Sequence, residues 1–382
     1  MLYLCYSIND FYAREAGISM LSFLDNNPDY EPEEVFFIDY GIHPANRERL
    51  DGIAARYGKR ITYLDGRPVT DEMKRRFPNL KAWHGSMAAN AKPFLDKIVP
   101  DYVERLLFMD ADTLTVQPVT ELMEQREQSD ACINSAESRQ KKAEGQLMHL
   151  DMGGAAIAAC ISYGECHRLR KKEYRLYSGN QIYIYTGMRL YDLGVWRHEN
   201  CHGMIVDTLR RKKRLPLPDQ TLINNAIPER LIKVLPIRFN YLTHTFHPWQ
   251  EYHWMRQHRI YSKQECREAI RRPVIIHYVG GWSMARPWHE DCHSHRKAEY
   301  YHYKALSPWK DTPLYPSILK TQPPQGWYNK LYVRVIMLMD KPLPYFLVRP
   351  LVASVNGLGR LMARMRGGST ASLEGIEETD NV

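Results

Sequence analysis

Two acidic residues separated by one position stand directly after an apolar run of strand length. Residues 105–109 read Arg-Leu-Leu-Phe-Met, and Asp110, Ala111 and Asp112 follow. Side chains alternate between the two faces of an extended chain, so both carboxylates point the same way. At the carboxyl edge of an α/β sheet, where ligands bind, two hard oxygen ligands suit Mn²⁺ or Mg²⁺ that also holds a nucleotide diphosphate. The alternative is a pair of solvated or loop-capping aspartates.

The elements that must position these carboxylates alternate between strand and helix. This order predicts an α/β fold with a Rossmann-like, mostly parallel sheet and flanking helices on both faces. Beginning with a strand, the alternating strands and helices are predicted over residues 2–6, 12–24, 35–39, 44–57, 60–64, 87–99 and 105–109.

The middle of the chain has a less regular pattern. Residues 153–160 fit either a buried helix or a strand, and a β-rich stretch at 182–186 ends at Gly187. Asp219 is placed to cap a helix that includes Leu222. Further predicted elements are a strand at 131–134, a helix over 196–211 and short strands at 231–235 and 274–278.

The composition is that of a globular protein with a sizeable core. The chain has 382 residues, of which 44% are apolar, enough for one large or two ordinary domains. Its seven cysteines are scattered and odd in number, which favours reduced thiols over a disulfide framework. This cysteine pattern predicts a cytoplasmic protein. We find no signal-peptide pattern and no apolar run long enough to cross a bilayer.

The net charge of +8 is unevenly distributed along the chain. Residues 320–366 carry eight basic side chains against one acidic side chain. Apolar residues recur there at helical spacing from Leu351 to Met365, with arginines on the opposite side. Basic helices with an apolar face lie on anionic membranes, so we expect a helical membrane-associating segment over 306–366, followed by a disordered acidic tail over 367–382.

This charge distribution suggests where the protein works and which partners it has. The membrane-associating segment predicts a peripheral location on the inner face of the cytoplasmic membrane. The alternative is an ordinary surface helix docked on the domain. No nucleic-acid partner is expected, because most of the excess charge sits on the amphipathic segment.

Four sequence blocks occur together in the order found in a known enzyme family. With them the chain resembles the retaining glycosyltransferases of family 8, the group that includes glycogenin and bacterial lipopolysaccharide galactosyl- and glucosyltransferases. The resemblance covers roughly residues 1–300 and implies a GT-A glycosyltransferase domain over 1–305. The blocks are residues 106–112, residues 183–187 followed by Trp196-Arg197, Asp219-Gln220 with Asn224, and residues 277–280 leading to 286–292.

The resemblance implies a metal-dependent reaction of a nucleotide-sugar donor. In the family two aspartates and a histidine hold the metal, which implies Asp110, Asp112 and His277 here. An imidazole among oxygen ligands favours Mn²⁺ over Mg²⁺. The family pattern places Asp219 on the hydroxyls of the transferred sugar and Gln220 near the anomeric carbon. Because an amide is a poor nucleophile, we favour front-face attack, in which the departing phosphate oxygen takes the proton of the acceptor.

The resemblance also implies contacts with the donor nucleotide and its phosphates. Asn9 or Asp10 must serve where the family delivers an aspartate to the nucleoside, and Tyr12 is a candidate to stack on the uracil or to fill the core. Gly280 would let the backbone approach the diphosphate. All the predicted donor-binding residues are Ser7, Asn9, Asp10, Tyr12, Asp65, Lys92, Asp110, Ala111, Tyr185, Gly280 and Arg286.

Besides the first-strand region with Asn9 and Asp10, three of these residues depart from the family pattern. Lys92 stands in place of an arginine, and Tyr185 in place of an asparagine that recognises sugar hydroxyls. Arg286 replaces a lysine, after a gap that is longer by three residues, and a guanidinium binds phosphate well. These changes indicate an altered donor pocket.

The predicted activity is metal-dependent, retaining transfer of a hexose from a UDP-sugar to a lipid-linked or lipopolysaccharide-type glycan. Two other classes of function stay open at this point. One is a catalytically impaired, membrane-bound scaffold with a GT-A-like fold, which the change at Tyr185 allows. The other is a metal-dependent nucleotidyltransferase, although residues 7–12 lack the glycine-rich basic loop that such an enzyme needs.

Overall fold

A computed structural model gives the architecture of the chain. The chain divides into two compact units. Of the described residues, the first unit holds those up to Tyr241 together with 261–277, and the second holds 242, 243 and those from Tyr278 onward. The structure describes residues 1–119, 150–162, 182–243, 261–279, 285–338 and 350–362, except residues 84, 213, 214, 216, 293, 352, 353, 356 and 360.

Seven of the described strands form a central sheet in the first unit, in the order β3-β2-β1-β4-β7-β6-β8. Strands β3, β2, β1 and β4 are parallel neighbours, and β6 is parallel to β8. Strand β7 runs antiparallel to both β4 and β6. The predicted α/β fold with a mostly parallel sheet is confirmed. The strands are β1 (Leu2–Ile8), β2 (Glu34–Asp39), β3 (Arg60–Asp65), β4 (Arg105–Met109), β5 (Thr113–Thr115), β6 (Ile157–Ile161), β7 (Ile184–Asp192), β8 (Ile232–Val234), β9 (Tyr241–Leu242) and β10 (Ile275–His277).

A second sheet contains the short strand that follows the two aspartates. Strand β5 begins directly after Asp112 and pairs antiparallel with β10. In this register His277, the last residue of β10, lies opposite Thr113. The pairing therefore brings a histidine from far along the chain to the edge where the aspartates stand.

Two helices of the first unit show how local sequence determines where a helix begins. Helix α2 begins with Pro44 after His43, whose ring accepts a hydrogen bond from the Ala45 amide. Helix α8 begins with a capping box formed by Ser262 and Glu265. The described helices of this unit are α1 (Ala13–Asn26), α2 (Pro44–Arg56), α3 (Arg67–Arg76), α4 (Leu95–Ile98), α5 (Leu193–His198), α6 (Cys201–Arg211), α7 (Pro218–Ala226) and α8 (Lys263–Arg271), with 3₁₀ helices at Asp10–Tyr12, Ala88–Phe94, Glu229–Leu231 and Ile237–Asn240. The second unit contains α9 (Lys297–Leu306), α10 (Ile318–Thr321) and α11 (Gly326–Met337).

Two predicted helices are interrupted in the structure. The prediction over 87–99 is wrong for its first half, which is a 3₁₀ helix ending at Phe94, because Pro93 lacks an amide hydrogen for the α-helical ladder. The prediction over 196–211 becomes α5 and α6, which are separated at Asn200. This residue has a left-handed φ of 53° and its side chain caps α6.

The strand predicted at 182–186 extends past Gly187. Strand β7 runs from Ile184 to Asp192, because β4 and β6 pair with it on both sides and supply hydrogen bonds beyond the glycine. The stretch at 153–160, which fitted helix or strand, contributes β6. Helix α3 was not predicted, and the strand predicted at 131–134 lies outside the described residues.

The main apolar core of the first unit lies between one face of the central sheet and the helices of the 88–98 and 193–226 regions. Phe94, Leu106, Tyr191, Trp196 and Ile223 are among its buried members. Burial of such side chains stabilises the fold by about 1.5–3 kcal/mol each. The core thus supports β4 and β7 behind the residues that follow β4.

Within the described ranges we find no helix of the length and apolarity needed to span a bilayer. The described residues of 350–362 are helical, as their spacing predicts. Membrane association of 306–366 and the domain limits at 305 and 366 stay predictions. The acidic tail at 367–382 lies outside the described residues.

Candidate active site

The two aspartates and the histidine that the sequence singled out lie together. One ligand atom from each of Asp110, Asp112 and His277 lies within 4.8 Å of the others, and among the described residues no other group of this kind occurs. The amide of Asp110 donates to the carbonyl of Gly187 (2.7 Å), and Thr113 Oγ1 donates to the carbonyl of Asp110 (2.7 Å). Both neighbouring strands therefore hold the backbone of the Asp-x-Asp turn in place.

The imidazole of His277 is oriented by a buried amide. Its Nδ1 lies 3.0 Å from Asn240 Oδ1, and its Nε2 lies 3.2 Å from Asp112 Oδ1. The amide oxygen of Asn240 accepts a hydrogen bond when Nδ1 carries a proton, which leaves Nε2 as the nitrogen that can bind a metal ion. The tautomer that Asn240 selects thus directs a ligating nitrogen toward the two carboxylates.

The histidine ring packs against Gly187 of β7. A Cβ atom added at this glycine would overlap Cε1 of His277 and would lie 2.7 Å from its Nδ1. Only a residue without a side chain leaves room for the ring in this position. Gly187 therefore supports the site twice, through its carbonyl on Asp110 and through the space that it leaves for His277.

This donor set fits a divalent metal ion. Two carboxylates provide hard oxygen ligands, and the oriented imidazole provides one nitrogen, a combination that suits Mn²⁺ and Mg²⁺. Asp110, Asp112 and His277 would hold the ion.

Replacing Asn240 with leucine is expected to weaken Mn²⁺ binding by about 10–100-fold, because the acceptor that selects the histidine tautomer is lost. Asn240→Asp keeps that acceptor and is the matched control, with an expected change of less than about tenfold. Isothermal titration calorimetry with Mn²⁺ measures both affinities. If the leucine variant bound the ion as tightly as the parent protein, the orienting role of Asn240 would be refuted.

A lysine connects the metal ligands to a second acidic group. Lys92 Nζ lies 2.7 Å from Asp110 Oδ1 and 3.1 Å from Asp219 Oδ2. Arg189 NH2 lies 3.8 Å from the same Asp219 oxygen. One ammonium group therefore separates the two carboxylates, and a guanidinium lies behind the second one.

Burial and charge act in opposite directions on these groups. Burial alone raises the pKa of Asp219, but the charges of Lys92 and Arg189 outweigh it and hold this pKa below its usual value. Burial raises the pKa of Asp110, only partly offset by the charge of Lys92. For Lys92 burial favours the neutral amine, yet Asp110 and Asp219 raise its pKa above the usual value, so it stays protonated.

Asp219 and Gln220 stand in the first turn of α7, both buried. Thr186 of β7 donates from Oγ1 to Gln220 Oε1 at 3.3 Å. Asn224, one helical turn later, accepts from the amide of Ile184 (2.7 Å) and donates to its carbonyl (2.9 Å). The amide pair with Ile184 clamps α7 to the start of β7 and sets the position of the acidic side chain.

The residues predicted to contact the nucleoside lie at the carboxyl ends of β1 and β3. Ser7 Oγ donates to the carbonyl of Ala88 (2.8 Å), and Asn9 Oδ1 is buried with no partner among the described residues. Asp10 Oδ1 accepts from the amide of His43 (2.7 Å) at the start of α2, which gives it a structural role.

Tyr12 and Asp65 are the other residues predicted to contact the nucleoside. Tyr12 ends the 3₁₀ helix before α1, and its ring lies 5.0 Å from that of Phe11 in an edge-on arrangement. Asp65 is the last residue of β3 and pairs with Arg67 at 2.8 Å. Their contacts with a nucleoside stay predictions.

The remaining predicted donor contacts are placed as follows. Tyr185 lies on β7 with its ring 6.2 Å from that of His277, and Ala111 lies between the two aspartates. Arg286 belongs to the second unit, where its guanidinium lies 5.4 Å from the ring centre of Trp288. Gly280 lies outside the described residues.

Arg189 and Asn240 belong to the site but were missed in the sequence. Arg189 stands between two apolar residues, Met188 and Leu190, in a strand whose two faces are buried. A charged residue in such an apolar stretch is the sequence signal that could have indicated its role. The strand was predicted to end at Gly187, so this arginine was not considered. No local pattern marks Asn240, which touches His277 only through the folding of the chain.

The comparisons agree with this architecture. The central sheet and the acidic pair at its edge define a GT-A-like α/β fold. The model of the family described as glycosyl transferase family 8 matches residues 3–292. The chain belongs to this family.

Similar solved structures share the fold at low sequence identity. One is a galactosyltransferase, LgtC, in complex with donor and acceptor sugar analogs, with a TM-score of 0.59, 21% identity and coverage of 81% of this chain and 96% of that one. Another is the bifunctional glycosyltransferase WbbM, with a TM-score of 0.61, 16% identity and coverage of 81% and 50%. General stress protein A of Bacillus subtilis (strain 168) is 21% identical over 305 residues, which are 79% of this chain and 92% of that protein.

Proposed function

We propose that the protein is a metal-dependent, retaining glycosyltransferase that moves a hexose from a UDP-sugar to a lipid-linked or lipopolysaccharide-type glycan. The observation that carries the proposal is the cluster of Asp110, Asp112 and His277, linked through Lys92 to Asp219. The cluster suits a metal-bound diphosphate, and Asp219 beside it suits the sugar.

The charges of the site support an anionic substrate. Three carboxylates (Asp110, Asp112 and Asp219) stand beside two cations, Lys92 and Arg189. Addition of a divalent ion makes the total positive, so the loaded site attracts a diphosphate. A bound ion would supply Lewis-acid stabilisation of the negative charge that grows on the leaving diphosphate.

The side chains of α7 suit the sugar that is transferred. An ionised carboxylate at Asp219 only accepts hydrogen bonds and so matches sugar hydroxyls. Gln220 is held by Thr186 and is a poor nucleophile, which supports front-face attack rather than a covalent sugar–enzyme intermediate. In this reaction the leaving phosphate oxygen takes the proton of the acceptor hydroxyl, so retention needs no further base from the protein.

A screen of UDP-sugars tests the donor. We expect UDP and one UDP-hexose to raise the melting temperature in the presence of Mn²⁺ but not of a chelator, since a ligand at 100 times its Kd stabilises the native state by about 2.7 kcal/mol. The same sugar nucleotide is expected to be hydrolysed slowly in the absence of an acceptor. Binding without turnover would favour the impaired scaffold, and pyrophosphate release from a nucleoside triphosphate would favour a nucleotidyltransferase.

We also propose that the segment 306–366 binds an anionic membrane surface, where a lipid-linked acceptor would be reached. In its helix α11 Trp327 is 60% exposed and Leu331, one turn later, is 38% exposed. Co-sedimentation with phosphatidylglycerol vesicles, compared with neutral vesicles, tests this. We expect loss of binding in the double variant Trp327→Ser/Leu331→Ser but not in Tyr102→Ser, and equal binding of all three proteins would refute it.

A further inference from the structure

Arg189 is a buried arginine that lies outside the four sequence blocks of the resemblance. Its side chain is 0% exposed, and its Nε, NH1 and NH2 have no hydrogen-bond partner among the described residues. Desolvation of a guanidinium is unfavourable, and unmade hydrogen bonds add to that cost. An arginine in this position therefore needs an explanation beyond filling space.

The register of the central sheet places Arg189 beside the candidate active site. Arg189 lies opposite Phe108 of β4 and two residues from Gly187, so it shares a sheet face with that glycine. Its guanidinium carbon lies 5.9 Å from the ring centre of Phe108 and 5.4 Å from that of Tyr191. Both rings stabilise the cation from the core side, and the charged end meets Asp219.

The two cations of the site, Lys92 and Arg189, differ in their ion-pair partners. Lys92 is shared, because its ammonium lies close to both Asp110 and Asp219. Arg189 has one ion pair in the described part of the chain, with Asp219 at 3.8 Å. Its charge therefore stabilises the carboxylate of Asp219, and it stays beside that carboxylate when the metal ligands bind an ion.

We propose that Arg189 is a positioning residue for donor recognition, which holds the carboxylate of Asp219 as a fixed acceptor for the hydroxyl groups of the transferred sugar. This inference rests on the proposed function and refines it. Because Arg189 is fully buried behind Asp219, it acts through that carboxylate and does not touch the donor. Loss of its charge is therefore expected to weaken recognition of the sugar and leave recognition of the metal–UDP part unchanged.

The test compares binding of UDP and of the preferred UDP-hexose, both with Mn²⁺, by isothermal titration calorimetry. In Arg189→Met we expect affinity for the UDP-hexose to fall at least tenfold relative to affinity for UDP. Arg189→Lys, which keeps the charge, is expected to restore part of the difference. If Arg189→Met does not fold, Arg189→Gln is compared with Arg189→Lys in its place.

Arg105 provides a matched control on the same two strands. Arg105 is the first residue of β4, at the end of the strand away from the site. Its NH2 lies 3.9 Å from Asp192 Oδ2 of β7. Arg105→Met removes the charge of a partly exposed ion pair away from the site and is expected to leave the ratio of the two affinities unchanged.

The outcomes separate this inference from the function on which it rests. An unchanged ratio in Arg189→Met, with both ligands bound by the parent protein, overturns the role of Arg189 alone. Loss of UDP and UDP-hexose binding in equal proportion also overturns it, because the residue would then be structural. If the parent protein binds neither ligand, the proposed function fails, and the inference fails with it.

Discussion

Replacing Asp110 or Asp112 with asparagine is expected to lower metal-dependent sugar transfer or donor hydrolysis by at least about 100-fold. Asparagine keeps the size of the side chain but removes the charge that a divalent ion requires of its oxygen ligands. The leaving diphosphate would then develop its negative charge without full compensation. Turnover of the preferred UDP-hexose with Mn²⁺, together with Mn²⁺ affinity, measures the effect.

A surface aspartate serves as the control for this change. Asp207 on α6 is exposed and pairs only with Arg210 one turn away among the described residues. Asp207→Asn is expected to keep the activity of the parent protein. Activity that persists in both Asp110→Asn and Asp112→Asn proteins, or in the presence of a strong chelator, would rule out the metal-dependent reaction.

Replacing Gly187 with alanine is expected to weaken Mn²⁺ binding by roughly 100-fold, although the substitution adds one methyl group and removes no ligand. The new methyl carbon would occupy the place of the His277 ring, which packs on the glycine backbone. Either the ring rotates away from Asp112 or β7 shifts, and overpacking of this kind costs about 1–3 kcal/mol. Calorimetric titration with Mn²⁺ and chemical denaturation measure the two effects.

Gly52 gives a matched glycine-to-alanine control. It lies in α2, and an added Cβ would meet no atom within 4 Å. Gly52→Ala is expected to leave Mn²⁺ affinity unchanged and to raise the free energy of unfolding by about 0.4–1 kcal/mol. Normal metal binding by Gly187→Ala protein would show that His277 does not depend on this close packing.

Local sequence patterns predict well the strands and helices whose signal lies in neighbouring residues. Strands β1 to β4 alternate with helices α1 and α2 close to the predicted limits, because apolar spacing and helix starts are properties of neighbouring residues. The Asp-x-Asp pair after β4 is also local. Its position at the edge of a mostly parallel sheet therefore follows from the sequence.

Contacts between distant segments were beyond the reach of these patterns. Strand β7 continues past Gly187 only because β4 and β6 pair with it on both sides, and this extension buries Arg189 beside Asp219. The division of the predicted helix at Asn200 likewise depends on a left-handed residue that the spacing of apolar side chains does not reveal.

The sequence by itself determined the chemistry of the site, since the identity of Asp110, Asp112 and His277 decides which ions they suit. That these three residues lie close together in the fold was implied by the resemblance of the four sequence blocks to family 8. Only the tertiary structure decided how the site is supported, through Asn240 on the imidazole and Arg189 behind Asp219. The physical reason is that hydrogen bonds and ion pairs between segments far apart in the chain depend on strand register and packing, which no local spacing encodes.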